Sequence, residues 1–161
     1  MQSLKLDIFN VFHTDWALLT AGKPENYNTM TISWGGLGTL WSKSVATVYV
    51  RPCRHTYQYM ESNDYFTVSF FTDAYKSDLK LLGTRSGRDG DKVALTALTP
   101  VSAGESTTFA QAKRTLLCKK LYAQDLDASA IPDDILQVQY GTETPHRMYI
   151  GEVVSILGQE E

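Results

Sequence analysis

Residues 28–56, NTMTISWGGLGTLWSKSVATVYVRPCRHT, decide the fold. A strand-like run ending at Trp34 breaks into glycines. A second run, in which Val45, Thr47 and Tyr49 alternate with Ala46, Val48 and Val50, has the period of two that a pleated strand requires. The first run alternates as well, with Thr29, Thr31 and Ser33 on one face and Met30, Ile32 and Trp34 on the other, so that hydroxyls and an aromatic ring meet at one rim. The second run leads into Arg51, Pro52, Cys53, Arg54, His55 and Thr56. From Asn26 to Met60 there is no Asp or Glu, where 18 acids in 161 residues would place about four, while Lys43, Arg51 and Arg54 fall inside the window. The resulting positive field, beside hydroxyls and glycines that admit close backbone approach, suits a bound phosphate better than a core.

Short segments rich in β-branched and aromatic residues, bounded by Gly, Pro, Asn or Asp, continue in both directions. They place strands near Trp16 to Thr20, Asn28 to Trp34, Val45 to Arg51, Tyr65 to Phe71, Thr115 to Tyr122 and Met148 to Ile156. Their two faces are both fairly apolar, which calls for a sheet covered on both sides or closed into a barrel with helices outside it. Helical spacing is local: Thr56 to Ser62, a helix after Asp73 that Gly83 stops, and a short stretch at Val93 to Leu98. Pro100 to Thr107 and Asp125 to Asp134 read as irregular connectors.

At 161 residues the whole chain, 1–161, fits one domain. A formal charge of -3 gives no general attraction to nucleic acid or an anionic membrane, so any anion preference must be local. The apolar runs are too short for a membrane span, and Lys5 and Asp7 interrupt the apolar core that a signal peptide would need, so a cytoplasmic protein is expected. Cys53 and Cys118 lie in no CxxC or zinc spacing and read as reduced. Both suit small buried apolar positions, although the arginines beside Cys53 could also make it reactive.

The run from Gly36 to Trp41 begins like a dinucleotide fingerprint but has Trp in place of the third glycine and no long helix after it, which excludes a Rossmann reading. Gly35 to Gly38 then reads as a turn between two strands. The loop Ser86 to Lys92, SGRDGDK, is either a solvated turn or a second phosphate clamp, with the Ser86 hydroxyl and Lys92 ammonium closing on an anion held by Arg54 and Thr56. His13, His55 and His146 fit neither a hydrolase triad nor a metal site. The basic run Lys113, Arg114, Lys119 and Lys120 is read as the wet edge of a strand.

Five stretches in order, NxMTxSWGGxGxxWxK (Asn28 to Lys43), VxVRPxRxT (Val48 to Thr56), FTVSFF (Phe66 to Phe71), SGRDGDK (Ser86 to Lys92) and HRMYIGEV (His146 to Val153), resemble the flavin reductase-like, FMN-binding split-barrel proteins, the group that includes flavoredoxin. The resemblance covers most of the chain and thins over residues 99–112 and 123–144. It implies a mainly β fold, a six-stranded antiparallel split barrel with a few peripheral helices, and a homodimer with FMN sites at or near the interface. It also implies that Asn28, Met30, Thr31, Ser33 and Trp34 border the isoalloxazine and ribityl chain, and that Arg51, Arg54, Thr56, Ser86 and Lys92 lie around the phosphate. His146 occupies the place of a histidine common near the nicotinamide side in related reductases, with Thr144 and Pro145 where those enzymes often have Gly and Asp. The implied activity is oxidoreduction, with NADH or NADPH reducing FMN and electrons passing onward. An FMN-containing electron carrier fed by a redox protein partner, or a non-catalytic flavin-binding dimer, remains open on the same residues.

Overall fold

The computed structural model describes residues 3–158. Nine strands form among them: β1 (Ala17–Lys23), β2 (Asn26–Ile32), β3 (Gly35–Leu40), β4 (Lys43–Val50), β5 (Tyr65–Phe70), β6 (Pro100–Ala103), β7 (Ser106–Phe109), β8 (Arg114–Asp125) and β9 (Arg147–Gly158). The helices are α1 (Asn10–His13), α2 (Thr56–Ser62), α3 (Lys76–Thr84) and α4 (Asp133–Gln139). Seven strands make one antiparallel sheet in the order β2-β1-β5-β8-β9-β4-β3, and β6 pairs with β7 alone.

One core cluster takes residues from nearly every strand of the large sheet, including Met30 and Ile32 of β2 and Val48 and Val50 of β4, so the sheet wraps its inner face around a single interior. Strand β1 shows how the outside is covered. Leu19 and Ala21 face the interior, while Leu18 joins Leu79 and Leu82 of α3 and Phe109 of β7 on the other face. Residues 17–21 are consequently fully buried, as expected for a strand covered on both sides. The β6–β7 hairpin is fastened by hydroxyls. Thr67 Oγ1 donates to Thr107 O (2.6 Å), Thr107 Oγ1 donates to Gly22 O (2.8 Å), and Thr108 Oγ1 lies 2.9 Å from Ser69 Oγ and 2.6 Å from Thr115 Oγ1. These buried Thr and Ser side chains are satisfied by one another and by backbone carbonyls in place of water.

Several expectations need correction. Gly35 to Gly38 is no turn: it belongs to β3, in register with β4 from Gly35↔Val48 to Leu40↔Lys43. The reversal falls at Trp41 and Ser42, at φ 51° and 58°, the two positive values that a two-residue hairpin loop needs. This glycine-rich strand raises the large sheet to seven strands, one more than the six expected. Gly83 does not stop α3, which continues to Thr84. A Cβ there would come 3.2 Å from Thr31 Cβ, so the glycine permits close helix–sheet approach instead. Residues 100–107 belong to the β6–β7 hairpin, which runs on to Phe109, rather than to a connector, and residues 133–139 form α4. Strand β8 is no edge, since β5 and β9 flank it, and Lys120 Nζ donates to Met60 O at the end of α2 (2.6 Å).

The inner face leaves no room at Gly151 of β9. A Cβ there would lie 2.6 Å from Phe66 Cζ and 2.9 Å from Cys118 Cβ, both buried. Gly151→Ala should therefore cost about 1–3 kcal/mol of stability through overpacking, read as a lower urea midpoint with an unchanged slope; an unaltered midpoint would mean the interior can yield at this point.

Candidate functional site

Four segments converge beside β2. Strand β2 ends at Ile32, and Ser33 and Trp34 carry the chain across to β3. Strand β4 runs out into a tight turn in which Arg54 N donates to Arg51 O (3.0 Å) and Tyr57 N to Arg54 O (3.0 Å) at the start of α2. After α3, the Ser86 hydroxyl accepts from Arg88 N (3.2 Å) and opens the loop that returns to Lys92. His146 immediately precedes β9. The loop sits against β2 at Gly87, where a Cβ would lie 2.2 Å from Asn28 Oδ1 and 2.8 Å from His55 Cδ2. Asn28 is fixed in turn by donating to Thr56 Oγ1 (2.7 Å).

Two cavities result. The first, about 220 Å³, is lined by Arg54, His55, Arg85, Ser86, Arg88 and Lys92, with Asn28 and Thr56 in its wall and no acidic side chain among the described residues. No carboxylate pairs with any of these cations among the described residues. Lys92 is buried, and its Nζ donates to Leu82 O (3.0 Å) and Arg85 O (3.1 Å), leaving one N–H. Arg88 is held by donating to Cys53 O (2.8 Å), whereas Arg54 makes only a 3.4 Å contact to Gly83 O. Crowding of like charge shows in the proton affinities. Burial and then Arg54 lower Lys92 to about 8, burial lowers Arg54, and burial, Arg88 and Lys92 lower His55. An anion entering here relieves repulsion and meets several unused donors.

The second cavity, about 170 Å³, adjoins the first through Arg54, which lines both. Met30, Thr31, Ser33, Trp34, Tyr49 and His146 contribute to its wall. Trp34 stands at the rim, 42% exposed, with its ring 5.2 Å from that of His146. Burial, with Arg51 and Arg54, lowers His146 to about 4, so the ring is neutral at ordinary pH. A space walled by Met30, Ile32, Trp34 and Tyr49 on one hand and by Thr31, Ser33, Arg51, Arg54 and His146 on the other, joined to a cluster of cations, suits a polar-edged heterocycle that carries a phosphate.

Residues 9–161 match the family model described as flavin reductase like domain. The chain belongs to this family. No curated protein matches it. Among solved structures, the flavin reductase-like chain is similar to flavoredoxin of Desulfovibrio vulgaris (Miyazaki F), with 20% identity and a TM-score of 0.71 over 99% of this chain and 77% of that one. Flavoredoxin from Methanosarcina acetivorans gives 17% identity and a TM-score of 0.71, with coverage of 99% and 77%. An FMN-binding protein from Thermus thermophilus with bound p-hydroxybenzaldehyde gives 18% and 0.72, with coverage of 99% and 83%. A structure from Shewanella frigidimarina with 15% identity, a TM-score of 0.72 and coverage of 91% and 68% is described as a split barrel domain, and that is the architecture of this flavin reductase-like chain.

All ten residues singled out in the sequence line one or both cavities. Met30, Thr31, Ser33 and Trp34 surround the second; Asn28, Thr56, Ser86 and Lys92 surround the first; Arg54 joins them. Two placements differ in detail. Arg51, expected near the phosphate, lines the second cavity, where it pairs with Glu143 and donates to Gln139 O (2.9 Å). Thr31 turns its hydroxyl outward to Leu79 O on α3, so it borders the cavity without offering its donor there. Sequence reasoning passed over Arg85, Arg88, Tyr49 and His55 as lining residues. The signal for the first two was present: Lys80, Arg85, Arg88 and Lys92 recur within 13 residues, four cations against the two acids Asp89 and Asp91. The two cysteines diverge, with Cys118 buried and Cys53 exposed, and both are free.

The sign of the Lys92 effect is testable. The free protein gives up this proton at about pH 8 rather than 10.5, so the contribution of this group to stability rises with pH between those values, because the unfolded chain keeps a proton the folded chain has released. Anion binding needs the charged form and therefore runs the other way. Affinity for sulfate, whose charge is fixed, should be full below about pH 8 and fall above it, while Lys92→Met should bind more weakly and lack the fall; calorimetric titration across this range measures both.

Proposed function

We propose that this protein binds FMN and acts as a flavin-dependent oxidoreductase of the NAD(P)H:flavin reductase type. The observation that carries the reading is the cluster Arg54, Arg85, Arg88 and Lys92, without carboxylate partners among the described residues, opening through Arg54 into the cavity beside Trp34 and His146. FMN, when bound, supplies the two-electron chemistry, accepting a hydride from NADH or NADPH and passing electrons onward.

The chain supplies position and field. Arg54, the Ser86 hydroxyl, the remaining N–H of Lys92 and the Arg85 and Arg88 guanidiniums hold a phosphate monoester. Asn28 and Thr56 brace that wall by bonding to each other. Met30, Ser33, Trp34 and Tyr49 enclose the ring system and exclude water from one side of it. Arg51 and Arg54 place positive charge beside the ring, which favours gain of negative charge there. No carboxylate lines the second cavity among the described residues, so this reading assigns no side-chain general acid.

Exposure of Trp34 at the rim favours a second reading, an FMN-containing electron carrier that exchanges electrons with a redox protein partner. A homodimer belongs to either reading. Edge strand β3 has open space above Gly36 and Gly38, and Trp41 (59% exposed) packs at 6.3 Å against Tyr122 beside it, an apolar surface that a second copy would cover. Light scattering should then give twice the chain mass. No helix among the described residues is long and apolar enough to cross a membrane, and a cytoplasmic location is part of the same proposal.

Purified protein should take up FMN and turn yellow; a colourless protein that ignores added FMN removes both readings. Anaerobic NADH or NADPH should bleach the bound flavin of a reductase and leave that of a carrier oxidised. Arg54→Ala combined with Lys92→Ala should weaken FMN by about 100-fold or more and riboflavin far less, since each charge-assisted bond to phosphate contributes roughly 1.5–3 kcal/mol. Equal losses for the two flavins would detach the cation cluster from the phosphate.

A further inference from the structure

His146 and Tyr140 form a buried pair at the second cavity, with the Tyr140 hydroxyl 2.7 Å from His146 Nδ1. Tyr140 follows α4 and is held from several directions. Its N–H donates to Leu136 O (3.0 Å), its carbonyl accepts from Glu143 N (2.9 Å), and the Arg51 guanidinium lies 5.4 Å from its ring centroid while bonding Gln139 O and Glu143. The imidazole is held as firmly, between this hydroxyl and the Trp34 ring. Its Nε2 has no hydrogen-bond partner among the described residues and is not enclosed, and His146 lines the second cavity.

The pair has one sensible proton arrangement. The Tyr140 hydroxyl has no other partner among the described residues, so it and Nδ1 must satisfy each other. A phenol O–H is a stronger donor than a neutral imidazole N–H, and an imidazole nitrogen the stronger acceptor. The reverse arrangement would also leave the phenol proton without an acceptor in a buried place. Tyr140 therefore donates, Nδ1 accepts, and the ring proton sits on Nε2.

We propose that Tyr140 is a positioning residue that locks His146 as the Nε2–H tautomer, making it a hydrogen-bond donor to a carbonyl oxygen of the ring system that the Trp34 cavity holds. Arg51 and Arg54, the cationic side chains of the cavity wall, oppose a second proton on the imidazole, so the donor is a single N–H of fixed direction. The identity of the acceptor, a flavin carbonyl, rests on the FMN reading; the tautomer does not.

Two measurements decide it. In flavin-free protein with ¹⁵N-labelled histidine, the NMR signals of His146 at neutral pH should show an unprotonated Nδ1 and a protonated Nε2. A protonated Nδ1, or a tautomer mixture in the unmodified protein, overturns the proposal. Tyr140→Phe, which keeps the ring in place, should give a mixture, whereas a merely structural role would leave the tautomer as it was. With flavin present, Tyr140→Phe and His146→Phe should each weaken FMN and riboflavin alike by about 3- to 10-fold, the loss expected for one neutral hydrogen bond to the ring rather than to the phosphate. Unchanged flavin affinity in both variants overturns the carbonyl contact. Failure of the unmodified protein to bind FMN sinks the FMN reading and the carbonyl acceptor with it, while the tautomer signal stands or falls on its own.

Discussion

Leu18 and Leu19 are neighbours in β1, point to opposite sides of the sheet, and are both fully buried. The rest of the molecule follows from the need to cover both faces of this strand. The inner face is covered when the sheet wraps around Leu19, Ala21 and Phe66; the outer face is covered when α3 and the β6–β7 hairpin close over Leu18. Burial of each leucine is worth roughly 1.5–3 kcal/mol, more than any exposed ion pair in the chain could return. Because β2 is hydrogen-bonded along the whole of β1, and α3 must lie against β2 to protect Leu18, the C-terminal end of α3 is delivered to the turn that follows β4. The cation cluster is thus a consequence of core packing that no attraction among its own members could bring about.

That origin explains why the cluster can exist at all. Burial lowers the hold of Arg54 and Lys92 on a proton, Arg51 adds to the effect on Arg54 and Arg54 to that on Lys92, so assembling them is unfavourable. The cost is carried by hydrophobic contacts elsewhere and partly met by backbone. Lys92 sits on the carbonyls of Leu82 and Arg85, where the partial negative charge of a helix C-terminus accumulates, and Arg88 sits on that of Cys53. Carbonyls restrain the cations without neutralising them. A carboxylate in the same place would stabilise the free protein more and leave less for a ligand.

Legibility from sequence followed the physics of each element. Strands β2, β4, β5 and β9 announce themselves because Val, Ile, Tyr and Phe alternate in them. Strand β3 does not, since its sequence, Gly-Gly-Leu-Gly-Thr-Leu, has turn chemistry, and only pairing with β4 and the nearness of Gly35 to the Phe12 ring make it a strand. The β6–β7 hairpin was hidden for the opposite reason: most of its buried residues are Ser and Thr, whose burial depends largely on partners distant in sequence, in β5 and at Gly22. The cation-lined cavity was legible as a shortage of acids around Arg54, and its distant half as a loop holding Ser86 and Lys92. Which cavity each arginine serves was not, because Arg51 is drawn away by Glu143 and Gln139, residues in a stretch with no readable pattern.

The contrast between Arg51 and Arg54 completes the account of the site. Both follow β4, three residues apart, and both reach the second cavity. Arg51 is matched by a carboxylate and a carbonyl and rests on the Tyr140 ring, so its charge is largely spoken for and its role is to hold the segment after α4 against the cavity wall. Arg54 has one long contact to a carbonyl and no carboxylate among the described residues. A bound anion therefore gains most by settling beside Arg54 in the first cavity, which leaves the second, with its neutral imidazole and aromatic rim, to an uncharged ring. Removing Glu143 would blur this division by freeing Arg51 to compete for the anion. In the FMN reading, the orientation of the ligand, charge at one end and ring at the other, is thus set by which of two similar arginines the chain neutralises.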